Sequence, residues 1–349
     1  METIHEGLQA TLDKAVDDFK IFGTSFCIQY KEQYWLGASG NFSPHSQYFI
    51  ASTTKLFITA IILHLEANGK ITLEDKITRY LNSEITDNLH YYKGHDYSNE
   101  LTITHLLAHT SGLPDYFAQE DESQVSLRYE MLHGKDEGWT FHQAIESSKN
   151  LTPLFKPGCK NKAHYSDTNF QLLGKIIEVV TQKSLHENLE QIIVKPLGLE
   201  KTYLYRKTCD NRPEGLYFEN KELHIPRSMV SFWADGAIVS TSHETMIFLK
   251  AFANGKFFPQ STLSKLYQWN KIFFPMESGI GIHRFKMPWF LDPLRRTPVL
   301  FGHAGLSGAL AYFNPDLDLY ITGTINQMAY PQESFALAAK LIRKTLSLG

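Results

Sequence analysis

Ser52-Thr53-Thr54-Lys55 is the one Ser-x-x-Lys in the chain. Three residues make about one helical turn, so Lys55 falls on the same face as Ser52. A serine hydroxyl is a weak nucleophile until a base takes its proton. A lysine one turn away serves as that base if burial or a nearby cation lowers its pKa. A helix N-terminus beside Ser52 adds free N–H groups for an oxyanion. Tyr165-Ser166-Asp167-Thr168-Asn169 is a second candidate. A phenol with a depressed pKa takes a proton or returns one to a leaving group. Gly302-His303-Ala304-Gly305, running into Leu306-Ser307-Gly308, is a third. Small residues on a strand let a ligand approach the backbone, and His303 would assist proton transfer from there. Taken singly, each has an ordinary explanation: an N-cap serine, a core tyrosine, a glycine-rich turn.

Phe49–Gly69 carries an apolar run from Leu56 to Leu65 with almost no polar face, which predicts a buried helix. Ser52 to Thr54 stand where N-cap residues belong, and Gly69 where a glycine stop belongs. An amphipathic helix is predicted over 8–19, and a hairpin from Ser25–Tyr30 and Gln33–Leu36. Ile103–Ala108, Ala144–Ser148 and Phe170–Val180 read as helices. Gly279–Phe285, Val299–Gly302, Gly308–Phe313 and Leu319–Thr324 read as strands, and 332–346 as a closing helix. Strands at both ends with helices between predict an α+β fold: an antiparallel sheet built from both termini, flanked by helices, with a mostly helical insertion. One domain, 1–349, is expected, its α/β part at about 1–80 and 235–349 and its helical part at about 81–234.

The chain has 349 residues, 43% hydrophobic and 20% charged, with 34 Lys+Arg against 37 Asp+Glu. This excludes a mainly disordered or fibrous chain. The near balance gives no electrostatic reason to bind nucleic acid or acidic lipid. No apolar run is long enough to span a membrane. Met1–Gly7 lacks the basic start of a signal peptide, so the chain as written is expected in the cytosol; a leader already removed would place it outside. Cys27, Cys159 and Cys209 read as free thiols. His105 and His109 are four apart, but nothing nearby completes a metal set. No G-x-S-x-G elbow, P-loop or dinucleotide fingerprint is present. Tyr116, Phe117, Phe232 and Trp233 are candidates for an acyl pocket or for core.

Together the three motifs, in this order, resemble the penicillin-binding-protein-like serine hydrolases, in the branch of class C β-lactamases, D,D-carboxypeptidases and esterases. Leu106–Leu113 (LLAHTSGL), Phe155-Lys156-Pro157-Gly158, Tyr165–Gly174, Pro196–Leu199 and Ala234–Thr241 (ADGAIVST) extend the resemblance over roughly 20–330. It implies that Ser52 is acylated, that Lys55 and Tyr165 handle protons, and that His303 replaces the third-motif cation. It also implies an oxyanion hole of the Ser52 and Leu306 N–H groups, beside Gly305. No metal or organic cofactor is needed, and the implied partner is a small-molecule or short-peptide substrate; oligomeric state stays open. Two residues depart from the pattern. Asp167 stands where the family has Asn, so it accepts but does not donate hydrogen bonds when ionised; it would favour a substrate amine, with Asn169 as a stand-in amide. His303 for Lys removes a fixed charge and weakens carboxylate recognition. Both argue against an efficient β-lactamase. The expected activity is ester or amide cleavage through an acyl-enzyme, rising from roughly pH 6 to 8 as the Lys55/Tyr165 pair loses a proton. A non-catalytic penicillin-binding or sensor protein and a D-amino-acid-directed aminopeptidase are the alternatives.

Overall fold

A computed structural model describes residues 4–120 and 125–347. Met1–Thr3, the first part of the start read above, lie outside the described residues. An eight-stranded antiparallel sheet forms the frame. Its order is Asn270–Phe273, Met276–Ser278, His283–Phe285, Leu300–Ala304, Leu310–Asn314, Leu319–Thr324, Gly23–Tyr30, Gln33–Gly40. The first hairpin of the chain therefore pairs with its last strand, Ser25 opposite Thr324. Helices Ile4–Asp13 and Pro331–Leu346 cover one face of this sheet, where Leu8, Leu12, Leu341 and Ile342 are buried. This is the α+β architecture that the sequence predicts.

The predicted elements differ in their bounds. The first helix runs Ile4–Asp13, not 8–19. Asp17 ends its reach: one carboxylate oxygen accepts from the N–H groups of Phe19, Lys20 and Ile21, and the chain turns there, leaving Phe19 exposed. Of the predicted strand Gly279–Phe285 only His283–Phe285 is strand; residues 279–282 are the turn that joins it to Met276–Ser278, with Gly281 at φ +68°. A positive φ there suits glycine.

On the other face lies the main core, around the helix Thr54–Ala67. Every residue from Thr54 to Leu63 is buried, as its all-round apolar sequence requires. The expected side-chain cap is absent. A 3-10 turn, Ala51–Thr53, leads into the helix, and no side chain caps either element. Ser52 Oγ is thereby left free for other work. Side chains fix this helix start in place. Thr54 Oγ1 accepts from Ile238 N at 3.1 Å, and Ser307 Oγ donates to Phe49 O at 2.7 Å. Ser307 belongs to the turn after the strand Leu300–Ala304, so sheet and helix start are tied together. Deeper in, Phe57 stacks on Phe248 of the helix Ser242–Ala253, ring centroids 3.6 Å apart. No described helix is long and apolar enough to cross a membrane.

Phe57→Ala should lower unfolding stability by about 3–5 kcal/mol, because it opens a cavity beneath the helix. Denaturant titration followed by circular dichroism measures this.

Candidate active site

The 3-10 turn and following helix bring Ser52 and Lys55 together, with Lys55 Nζ 3.1 Å from Ser52 Oγ. The start of the helix Asp167–Thr181 brings in the second motif. Tyr165 OH donates to Ser52 Oγ at 2.7 Å, and Lys55 Nζ lies 5.1 Å from the Tyr165 ring centroid. The serine oxygen therefore faces two donors. Lys55 is fully buried, and it is paired with Asp167 Oδ1 at 2.7 Å and donates to Asp235 O at 2.6 Å.

These contacts reverse the expected proton affinities. Burial alone would push Lys55 down, but Asp167, then Tyr165 and Asp235, carry it above its ordinary value. Burial, and then Asp167, likewise raise Tyr165. At neutral pH the lysine is an ammonium and the tyrosine a phenol, and neither is a ready base. Two further carboxylates stand close. Asp115 and Asp235 are buried and raised above the ordinary carboxylate range, chiefly by burial and next by Asp167. One cation cannot support three ionised carboxylates in a dry site. Asp235 Oδ2 accepts from Tyr116 OH and Gln171 Nε2, while its Oδ1 is buried without a partner.

The third motif contributes a neutral imidazole. His303 is buried and lowered well below its ordinary value, first by burial, then by His283 and Lys55. Its Nδ1 lies 2.8 Å from Ala304 O, so this nitrogen carries the proton and Nε2 is an acceptor, without a partner. His283 stacks on it at 4.0 Å and is itself pushed down to about 3 by burial and Lys55. Gly305 lies against the nucleophile: a Cβ there would sit 3.0 Å from Ser52 N and 2.5 Å from Ile50 O. Leu306 follows and lines the same cavity as Ser52.

Of the sequence candidates, Ser52, Lys55, Tyr165, Asp167, His303, Gly305 and Leu306 thus share one place. Asn169 does not. It is buried, accepting from Ser111 Oγ at 2.7 Å and lying 3.1 Å from His109 Nδ1, so it holds a loop rather than a substrate. Neither of the paired histidines is placed as a ligand: His105 closes a capping box with Thr102, and His109 stacks on Tyr165 at 4.6 Å. Phe117 and Phe232 line the cavity, whereas Tyr116 holds Asp235 and Trp233 packs toward Phe141. Sequence reasoning missed Asp115, Asp235 and His283. A signal existed for Asp235, an acid within the small and apolar run ADGAIVST.

Comparisons with known proteins agree with this architecture. A protein of Escherichia coli (strain K12), provisionally named a D-alanyl-D-alanine carboxypeptidase, is 34% identical over 156 residues, covering 44% of this chain and 33% of that protein. The chain thus spans about a third of the length of the curated relatives it matches. A D-stereospecific amidohydrolase from Streptomyces sp. superposes with a TM-score of 0.77 at 24% identity, covering 93% of this chain and 95% of that one. The D-amino acid amidase of Ochrobactrum anthropi SV3, complexed with D-phenylalanine, gives 0.80 at 20% identity over 99% of both chains. These likenesses show the fold. The family description Beta-lactamase matches residues 8–346, and with that span the chain belongs to the Beta-lactamase family.

Proposed function

We propose that the protein is a serine hydrolase that cleaves an ester or amide through an acyl-enzyme on Ser52. The observation that carries this reading is the Ser52 oxygen held between the Lys55 ammonium at 3.1 Å and the Tyr165 hydroxyl at 2.7 Å. Both donors oppose the build-up of a proton on Oγ and favour negative charge there. The backbone N–H groups of Ser52 and Leu306 receive the carbonyl oxygen as it becomes an oxyanion.

Lys55 works as a relay in this reading. As Ser52 attacks, its proton passes to Lys55 Nζ while Lys55 passes one of its own to Asp167, 2.7 Å away. Ser52 loses one proton, Asp167 gains one, and Lys55 ends as it began. An asparagine at 167 cannot accept that proton. Tyr165 then protonates the leaving group and is reprotonated from Asp167 through Lys55. In deacylation the attacking water gives its proton to Asp167 by the same relay, Tyr165 returns one to Ser52 Oγ, and Asp167 restores Tyr165.

A second reading narrows the substrate to one with a free amine. Asp115 and Asp235 line the cavity with Ser52, and Asp235 Oδ1 is buried without a partner. A substrate ammonium would let one of these acids ionise, which favours binding of the charged amine. The solved relatives named for D-amino acid amides and D-stereospecific amidohydrolysis suit this reading.

Intact-mass analysis with a fluorophosphonate should show one adduct on the wild type and none on Ser52→Ala; labelling of that variant would contradict the assignment. On an uncharged ester kcat/KM should be flat between about pH 8 and 9, above the value of about 7 to which Asp115 is raised, because Lys55 and Tyr165 both keep their protons there. Asp167→Asn should lower the Lys55 pKa and bring a rise with pH toward neutral. If an amine is recognised, an aromatic D-amino acid amide should be cleaved at least ~10-fold faster in kcat/KM than its N-acetyl form, about 1.4 kcal/mol. Equal rates would remove the amine-directed reading and leave the hydrolase.

A further inference from the structure

Ser52 opens onto a cavity of about 770 Å³ whose walls are mostly aromatic and aliphatic. Near the serine the wall is Phe273, whose ring centroid is 6.3 Å from that of Tyr165. Phe273 lies at the tip of the hairpin formed by Asn270–Phe273 and Met276–Ser278. Beyond it the lining passes over Met276 and Phe285 to Phe335, whose ring is 4.7 Å from that of Phe285. Ala336, Ala339, Lys340 and Arg343 continue it along the C-terminal helix. From Phe335 to Arg343 is eight residues, about 12 Å of helix. Leu291, from the segment between the strands His283–Phe285 and Leu300–Ala304, faces the same space.

The rim is apolar as well. Phe274 is 78% exposed, Trp289 72% and Leu294 73%. The rings of Phe274 and Phe290 stack at 6.3 Å, so hairpin tip and segment 287–294 form one patch. Large exposed apolar patches mark places that receive an apolar ligand or partner. Here the patch is continuous with the wall that begins at Tyr165. A chain joined to the carbonyl that Ser52 attacks would run along this wall.

We infer that the substrate carries an extended apolar chain, and that this chain lies in the chamber between the 273–276 hairpin tip, segment 287–294 and the helix Pro331–Leu346. The inference rests on Ser52 as the nucleophile and adds the substrate's chemical class. A single small side chain would leave most of the chamber hydrated against apolar walls. An alkyl chain removes that contact, and the gain grows with each buried methylene. The acids near Ser52 and the apolar chamber beyond it then select an amphiphile, polar at the reacting end.

The test uses two ester series on the full chain: p-nitrophenyl esters of lengthening acyl chain, and acetates of lengthening alcohol. In at least one series kcat/KM should rise roughly tenfold or more from the two-carbon to the dodecyl or dodecanoyl member. Ala336→Trp and Leu291→Glu alter the chamber at exposed positions. Each should cut the long-to-short ratio by about tenfold. Phe19→Ser, an exposed aromatic away from the chamber, should leave that ratio as it is. Binding of dodecanoate to Ser52→Ala by calorimetry, weakened by Ala336→Trp, supports the chamber without any turnover. Two flat series, or a rise that both chamber variants preserve, would overturn the inference. If short esters are still cleaved in a Ser52-dependent way, the hydrolase reading survives that failure. Hydrolysis that persists in Ser52→Ala, with dodecanoate still bound, would instead sink the nucleophile and keep the chamber.

Discussion

The site depends on one ion pair in a dry place. Lys55 is fully buried, and Asp167 meets its ammonium at 2.7 Å. Burying an unpaired ammonium is very costly, so without its partner the lysine would lose its proton or the site would distort. The pair fixes where the cation sits, and the cation fixes Ser52 Oγ. It also sets the protonation of its surroundings. Asp115 and Asp235 are raised, with Asp167 the next cause after burial, while His283 and His303 are held neutral with Lys55 among the causes. The reaction centre is therefore a balanced arrangement of charges in which each group's state follows from its neighbours.

The fold supplies the rigidity this balance needs. The helix carrying Lys55 is buried all round, and its start is clamped by Ser307 and Thr54. The sheet brings His303 and Gly305 to the clamp from one side, and the helix Asp167–Thr181 brings Tyr165 and Asp167 from the other. The Gly305 backbone approaches Ser52 more closely than a side chain would allow. Such a centre can change its chemistry through one residue. In the proposed relay an amide at 167 would leave the lysine to act alone, whereas the carboxylate couples it to a second proton acceptor.

Much of this was legible in the sequence. The apolar run Leu56–Leu65 announces a buried helix, and the three motifs converge on one point as their order implies. The antiparallel sheet built from both termini follows from strand texture at each end. What stayed hidden has physical causes. Asp17 stops the first helix by a local side-chain capture that hydrophobic spacing does not record. Asn169 looked like a substitute for the family's amide, but two residues, just over half a helical turn, carry it away from Asp167 into the Ser111 and His109 network. Spacing predicts the burial that lowers Lys55, but not the groups that outweigh it, first among them a carboxylate brought from 112 positions away in the chain. Asp115, Asp235 and His283 are distant in sequence from Lys55, and only the folded chain gathers them.

The most direct check of this account is the protonation state of Lys55, read from the ¹⁵N shift of its Nζ across neutral pH. The account predicts an ammonium throughout that range in the wild type, and a shift toward the amine at lower pH in Asp167→Asn than in the wild type. A neutral amine at Lys55 in the wild type near pH 7 would contradict it, because Lys55 would then be the base and Asp167 a bystander.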